Sequence, residues 1–336
     1  MTPNDNNGKR VIAITLNPAI DRTIKLESFA YGQVNRAMSA NEDMGGKGVN
    51  VARMLEFCGV GVMAGGLLGN DNIAVTEALM SREVFSANWL PVPGKTRTNT
   101  KLVTTTDQKT TDINEPGFEL GSISAKLLDK LASKIREWAV EYDAMVFAGS
   151  LPPGLPADTY GHLINICKQV SPDCFVAVDA EGSPLEYALA AGADLIKPNL
   201  AELALLTGCC IEDYDNMELA ISDCKKLMNR YPLKTILLSN GRSGSVLFTR
   251  SSEEANKLVV LTAGSLEVKA LSTTGAGDSL LAGYLSGQCS GLDHKHSLAR
   301  GIACASLAVS RQSWLNFETN LIEPYTQDAF KLIREL

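Results

Sequence analysis

The stretch Leu271-Ser272-Thr273-Thr274-Gly275-Ala276-Gly277-Asp278-Ser279 joins a polar loop to the apolar run Leu280-Leu281-Ala282. Glycines at 275 and 277 bring bare backbone N–H groups together where a helix is about to begin. Such a turn cradles an anion, and the helix dipole adds positive potential. Asp278 then falls in the first turn, a carboxylate beside the place where the anion would lie. Alone, an acidic first-turn residue on a glycine-rich helix start is commonplace. The cradle and carboxylate together suit phosphoryl transfer, where a base touches an acceptor hydroxyl while fixed donors hold developing charge. That chemistry is mostly positioning, so a carboxylate of ordinary pKa would serve.

Upstream of this stretch, strand-like runs alternate with helical patterns, the signature of βαβ units around a largely parallel sheet. The runs 11–16, 61–67, 144–148, 175–178, 194–196 and 235–238 read as buried strands. Between them, 49–57, 72–81, 124–140, 157–169, 185–191 and 217–230 read as helices, and 275–286, 297–310 and 327–336 close the chain in the same way. The segments 22–43 and 91–116 break the rhythm. Thr100-Lys101-Leu102-Val103-Thr104 alternates polar with apolar residues, which suits half-exposed antiparallel strands. These two segments are expected to form a small sheet, a lid over the ends of the main strands. The expectation is thus one α/β domain over residues 9–336 carrying a lid, with residues 1–8 a poorly ordered extension.

Composition narrows the possibilities further. The 336 residues are 45% hydrophobic and 21% charged, close to the globular average, which excludes collagen and disordered polymers. A formal charge of −7 argues against a general nucleic-acid or acidic-membrane binder, although a few local cations could still take a small anion. No apolar run is long enough for a membrane span, and the polar first ten residues lack the core of an export signal. The eight cysteines show no C-x-x-C pairing, so they read as reduced, structural thiols of a cytoplasmic protein. His294 and His296 read as part of a polar loop without metal-ligand spacing.

Five other segments carry chemistry-bearing residues. Gly45-Gly46-Lys47-Gly48-Val49-Asn50 permits close approach of a ligand and adds a cation and an amide. It is no Walker loop, because Asn41 stands at its first glycine position and no Ser or Thr follows Lys47. Gly149-Ser150-Leu151-Pro152 follows an apolar strand, and open α/β sheets bind ligands beyond the carboxyl ends of their strands. Lys197-Pro198-Asn199-Leu200-Ala201-Glu202 also follows a strand. Asn199 can cap the next helix with Glu202 at capping-box spacing, and the same pair could organise a magnesium shell. Ser239-Asn240-Gly241-Arg242-Ser243-Gly244 reads as a hairpin turn or as backbone that approaches a nucleotide. On the lid, Arg97, Asn99 and Lys101 alternate onto one face, where they are either a solvated surface or a phosphate clamp.

Seven segments, in order, resemble the PfkB (ribokinase-like) family of carbohydrate kinases over nearly the whole chain. They are Thr15–Asp21, Gly45–Arg53, Thr96–Asn99, Thr111–Asn114, Gly149–Gly154, Lys197–Glu202 and Ser272–Ser279. The resemblance implies a ribokinase-like three-layer α/β/α sandwich with a β-sheet lid, and ATP-dependent transfer to a hydroxyl of a sugar phosphate with Mg²⁺. By that analogy Asp278 is the catalytic base, and Gly275, Ala276 and Gly277 form the anion hole. Asp21, Gly45, Gly46, Lys47, Asn50, Arg97, Asn99, Lys101 and Ser150 would contact the acceptor. Lys197, Asn199, Ser239, Gly241, Gly244 and Gly277 would bind ATP, with Glu202 and Asn199 at the metal. Thr111–Asn114 and Ser272–Thr274 point to fructose 1-phosphate as acceptor, with tagatose 6-phosphate and fructose 6-phosphate as alternatives. A sugar-phosphate-binding regulator is the non-enzymatic alternative, and a pure binder has no need of Asp278. The resemblance also implies a homodimer joined through the lids. Ser313–Asn316 departs from the family pattern, as does Ser272, where many members carry Asp.

Overall fold

The computed structural model describes residues 8–107, 109–251, 257–311, 314 and 317–336. Seven parallel strands form most of one sheet: β1 (Val11–Thr15), β4 (Val62–Gly69), β5 (Ser86–Val92), β8 (Ala144–Ala148), β9 (Phe175–Asp179), β10 (Leu195–Ile196) and β11 (Thr235–Ser239). Three antiparallel strands, β12 (Ser245–Arg250), β13 (Leu258–Ala263) and β14 (Ile333–Glu335), extend it to the order β14-β13-β12-β11-β10-β9-β8-β1-β4-β5. The apolar runs form these strands because both faces are covered. Along β1, Val11 and Ala13 enter one core while Ile12 and Ile14 enter the other, as the two-residue period requires.

One core is closed by α3 (Ser124–Glu141), α4 (Thr159–Val170), α5 (Ser183–Ala190), α6 (Leu200–Thr207) and α7 (Met217–Arg230). The other is closed by α1 (Lys47–Phe57), α2 (Ile73–Met80), α8 (Ala276–Cys289), α9 (His294–Ser310) and α10 (Ile322–Phe330). The result is a three-layer α/β/α sandwich. Four more strands, β2 (Ala19–Leu26), β3 (Ser39–Gly45), β6 (Arg97–Thr104) and β7 (Thr110–Asn114), form a separate sheet in the order β3-β2-β6-β7. This is the lid, and its strands leave the main sheet at the carboxyl ends of β1 and β5. No described helix is long and apolar enough to cross a membrane, and all eight cysteines are free thiols.

Several boundaries differ from the sequence expectation. Pro91 and Val92 belong to β5, at the edge of the main sheet, rather than to the lid. An edge strand tolerates the missing N–H of a proline, which is why the segment reads poorly as a strand. The first lid segment runs from Ala19 to Gly45, wider than the expected 22–43. The expected terminal helix 327–336 is corrected: α10 ends at Phe330, and Ile333 turns its side chain into the core as β14 pairs with β13. His294 and His296 lie in the first turn of α9, whose N-cap Asp293 accepts from the His296 backbone N–H at 2.7 Å. Residues 1–7 of the expected extension, and Ser313, Leu315 and Asn316, lie outside the described residues.

Trp138 on α3 is 1% exposed and packs so closely on β4 that a Cβ built at Gly65 would lie 3.0 Å from its ring. Trp138→Ala should therefore destabilise the fold by about 3–5 kcal/mol through lost burial and an unfilled cavity. Urea unfolding followed by circular dichroism checks this, and an unchanged midpoint contradicts it.

Candidate active site

The site lies at the carboxyl ends of β1, β8, β9, β10 and β11, beneath the lid. There the polypeptide leaves each strand with its polar residues uncovered by the flanking helices. Gly275 stands in the left-handed region with φ 77° as the N-cap of α8, so a side chain there would be strained. The first N–H groups of α8 lack intrahelical acceptors and face the turn. A Cβ built at Gly275 would lie 3.5 Å from Arg311 Nη2 and 3.6 Å from Asn50 Nδ2, and one at Gly277 would lie 3.2 Å from Lys197 Nζ. The cradle is therefore ringed by an amide, a guanidinium and an ammonium group.

Asp278 is 7% exposed, and its Oδ2 accepts from Asn50 Nδ2 at 2.8 Å. Burial, reinforced by the negative charge of Asp179, pushes the Asp278 carboxyl up to about 6. The hydrogen bond from Asn50 and the charges of Lys47 and Lys197 hold it from rising further. The carboxyl therefore lies above the ordinary carboxylate range, with burial as the first cause. The group is still mainly ionised at pH 7.

Asp179, at the end of β9, is 1% exposed. Its Oδ1 accepts from Lys47 Nζ at 2.9 Å, and its Oδ2 lies 3.2 Å from Lys197 Nζ. Burial would raise its pKa, but Lys197 and Lys47 outweigh that and hold it below the usual carboxylate range. Burial likewise opposes the charge of Lys47, yet Asp179 and Glu202 keep its pKa above that of an ordinary lysine. Lys47 also donates to Glu202 Oε1 at 3.4 Å. Lys47, expected among the acceptor contacts, thus points to the carboxylates under the cradle. Asn50, expected on the acceptor as well, is bonded to Asp278 and to Arg53.

Asn199 and Glu202 form the capping box: Glu202 N–H donates to Asn199 Oδ1 at 2.8 Å, and Asn199 N–H donates to Glu202 Oε2 at 2.9 Å. Glu202 is 7% exposed with both carboxylate oxygens engaged. Among the described residues no cluster of three acidic, histidine or cysteine side chains could hold a metal ion. With the Glu202 oxygens and Asn199 Oδ1 engaged by the protein, a magnesium ion here would have to take most of its shell from water and phosphate oxygen. Ser239 N–H donates to the Pro198 carbonyl at 2.9 Å, which seats Ser239 beside Asn199. Gly241 and Gly244 belong to the turn from β11 to β12, and Gly244 packs on β13 so closely that a Cβ would overlap the Ala263 carbonyl.

On the lid side, Asp21 Oδ1 accepts from Asn99 Nδ2 at 3.3 Å, and burial raises the Asp21 pKa. Gly45 on β3 pairs with Ala19, and a Cβ there would stand 2.2 Å from Asp21 Oδ2, so a side chain at 45 would force this carboxylate to move. Gly46, the N-cap of α1, follows directly. Arg97 donates to the carbonyls of Glu115 at 3.0 Å and Asn17 at 3.2 Å. Its Nε, like Asn99 Oδ1 and Asn17 Oδ1, is buried without a hydrogen-bond partner among the described residues. Asn17 Nδ2 donates to Ser150 Oγ at 3.2 Å, which aims Ser150 at the same space. Lys101 Nζ bonds Thr274 Oγ1, so the lid touches the loop that leads into the cradle.

Asp179, Arg53, Asn17 and Arg311 escaped the sequence reading. Asp179 ends an apolar run at the carboxyl end of a parallel strand, which is a usable signal. Asn17 acts through contacts with residues 80 or more positions away, and Arg53 and Arg311 through Glu83 and Thr274, 30 and 37 positions away.

A buried carboxylate at a glycine-rich helix start, roofed by a lid that carries cations and amides, suits phosphoryl transfer to a hydroxyl. Residues 12–319 match the pfkB family of carbohydrate kinases, and the chain belongs to that family. It is 34% identical over 290 residues to the 1-phosphofructokinase of Rhodobacter capsulatus, covering 84% of this chain and 85% of that protein. To the 1-phosphofructokinase of Xanthomonas campestris pv. campestris it is 36% identical over 279 residues, 82% of each. The phosphofructokinase-2 of Escherichia coli in complex with substrates and products superposes with a TM-score of 0.81 over 95% of this chain and 99% of that one. At 22% identity that likeness shows the fold.

The Asp278 carboxyl also makes a stability prediction. Its folded pKa is raised, so the folded state holds the proton more tightly than the unfolded chain. Ionised Asp278 therefore costs stability above pH 6, and that cost disappears as the pH falls through 6 toward the unfolded value near 4. Asp278→Asn should melt at a higher temperature than the parent at pH 7.5, with the difference shrinking by pH 4.5. Calorimetry at the two pH values reads it, and a parent that is the more stable at pH 7.5 refutes the desolvation argument.

Proposed function

We propose that the protein is a 1-phosphofructokinase. It transfers the γ-phosphoryl group of ATP to the 6-hydroxyl of D-fructose 1-phosphate, giving D-fructose 1,6-bisphosphate and ADP. The observation that carries the reading is the meeting of Asp278 with Asn50 beside a glycine cradle ringed by Lys197 and Arg311. The acceptor is assigned from the relatives named 1-phosphofructokinase.

In this mechanism Asp278 takes the proton of the attacking hydroxyl as the new O–P bond forms. With Oδ2 held by Asn50, Oδ1 is the oxygen left for that proton. A base of pKa near 6 is ionised at neutral pH yet basic enough to take part in the transfer. The N–H groups at Gly275, Ala276 and Gly277, together with the α8 dipole, hold the charge that develops on the transferring group. Lys197 adds its positive charge at the same place. Magnesium, when bound with ATP, neutralises phosphate charge, and Glu202 with Asn199 would hold its water shell. Ser239, Gly241 and Gly244 line the expected path of the nucleotide.

Asp21, Gly45, Gly46, Asn99 and Ser150 would receive the acceptor's hydroxyls, since Asn17 Oδ1, Asn99 Oδ1 and Arg97 Nε still have hydrogen-bonding capacity there. Arg97 and Lys101 would take the acceptor's own phosphate. Closure of the lid on Thr274 excludes water, which would otherwise compete as acceptor. The lid tip exposes Phe29, Tyr31, Val34 and Met38 at 49%, 95%, 83% and 66%, an apolar surface that two chains could bury by pairing lids.

Coupled ADP-release assays with fructose 1-phosphate, fructose 6-phosphate and tagatose 6-phosphate should give the highest kcat/KM on fructose 1-phosphate. Asp278→Asn should lower that kcat by at least about a hundredfold. A better rate on another acceptor, or a variant near parental activity, overturns the assignment of substrate or of base. Light scattering should give the mass of two chains, and Tyr31→Asp combined with Val34→Asp should shift it toward one. A parental monomer refutes the lid pairing.

A further inference from the structure

Asn50 lies one turn into α1, and its side-chain amide is fixed at both ends. Its Nδ2 donates to Asp278 Oδ2 at 2.8 Å, and its Oδ1 accepts from Arg53 Nη1 at 2.9 Å. Arg53 is 1% exposed, an unusual place for a guanidinium, which is almost never buried without partners. Three of its other four N–H donors are also engaged. Nη2 donates to the Met44 carbonyl at 2.7 Å and to Glu83 Oε1 at 2.5 Å, and Nε donates to Glu83 Oε2 at 2.9 Å. The guanidinium also lies over the Trp314 ring, 4.9 Å from its centre. Glu83 stands in the loop between α2 and β5, so the anchor comes from an element remote from the cradle.

The phosphoryl-transfer chemistry needs no such buried pair for itself. An asparagine amide, however, has two ends of nearly equal size and opposite hydrogen-bonding sense. With its NH₂ toward Asp278 it stabilises the carboxylate. With its oxygen toward Asp278 it would stabilise the protonated acid, which cannot act as base. Arginine has donors and no acceptor, so Arg53 can be satisfied by Asn50 only through Oδ1. A guanidinium clamped in its fork by Glu83 and the Met44 carbonyl therefore leaves the amide one orientation.

We propose that the Glu83–Arg53 ion pair is a positioning element that keeps Asn50 donating to Asp278, and thereby keeps the base of the reaction proposed above in its ionised form. Arg53 and Glu83 touch neither acceptor nor phosphate in this role. They act through Asn50. The other charged groups facing Asp278 are Asp179 from the end of β9, Lys47 from α1, Lys197 from the turn after β10 and Arg311 after α9. None of these bonds the Asn50 amide, so none can substitute for the orientation that Arg53 imposes.

The test uses the sign of a shift. In Glu83→Ala a negative charge is lost, which by electrostatics alone would lower the Asp278 pKa. Loss of the Arg53 anchor would let the amide turn and raise it. Carbon-13 NMR titration of the Asp278 carboxyl, assigned with Asp278→Asn, should show the pKa moving up by about one pH unit. The acid limb of kcat should move with it, while the KM for ATP stays at the parental value. An unmoved or lowered pKa in folded Glu83→Ala overturns the proposal. Arg53→Lys keeps the charge but cannot reproduce the fork, so it should shift the pKa in the same direction, and parental behaviour there also overturns it. The NMR reading needs no turnover, so a failure of the substrate assignment would be seen separately in the acceptor assays.

Discussion

Asp179 sits between the ammonium groups of Lys47 and Lys197 with almost no contact with solvent, and most of the site's organisation follows from that arrangement. A buried carboxylate is tolerable when it is paired, and removing one partner from such a cluster typically costs about 3–5 kcal/mol. The cluster ties three elements together: the head of α1, the end of β9 and the turn after β10. Its position below the cradle also sets the local electrostatics. It holds Lys197 beside the cradle glycine Gly277, while the residual field of Asp179 helps to raise the pKa of Asp278.

The opposing shifts of the two aspartates have one cause. Both are buried, but Asp179 has a cation bonded on each side and Asp278 has a neutral amide. The first is therefore a fixed anion that orders its surroundings, and the second remains a group that can take a proton. Pairs of carboxylates whose environments push their pKa values apart are how one site separates a structural charge from a reactive one. The net charge of −7 places no limit on this, because Lys47, Lys197 and Arg311 lie around the cradle and Arg97 and Lys101 on the lid strand.

Much of this was legible in the sequence. The parallel strands could be read because burial on both faces leaves continuous apolar runs such as Ala144–Ala148, which matches its strand residue for residue. The lid could be read because its strands alternate. β5 was missed since its proline and polar residues make sense only at a sheet edge, and β14 because a short terminal pairing leaves little periodic trace. Within the site, Asp278, Gly275 and Gly277 could be found because a helix start and an anion cradle are local structures. Asp179 carried a faint signal, and Arg53 carried none beyond its place in a motif.

The sequence by itself thus determined the alternation of strand and helix, the glycine-rich helix start with its carboxylate, and the polar segments at the strand ends. These are set by interactions among residues near one another along the chain, where periodicity and turn chemistry leave a pattern. Only the tertiary structure decided that Lys47 faces Asp179 and Glu202, that Asn50 faces Asp278, and that Arg53 spans to Glu83. Those pairings depend on how helices dock across a twisted sheet, between residues 30 to 228 positions apart. The pKa of Asp278 was decided there as well, because desolvation is a property of the packed interior and not of any stretch of chain.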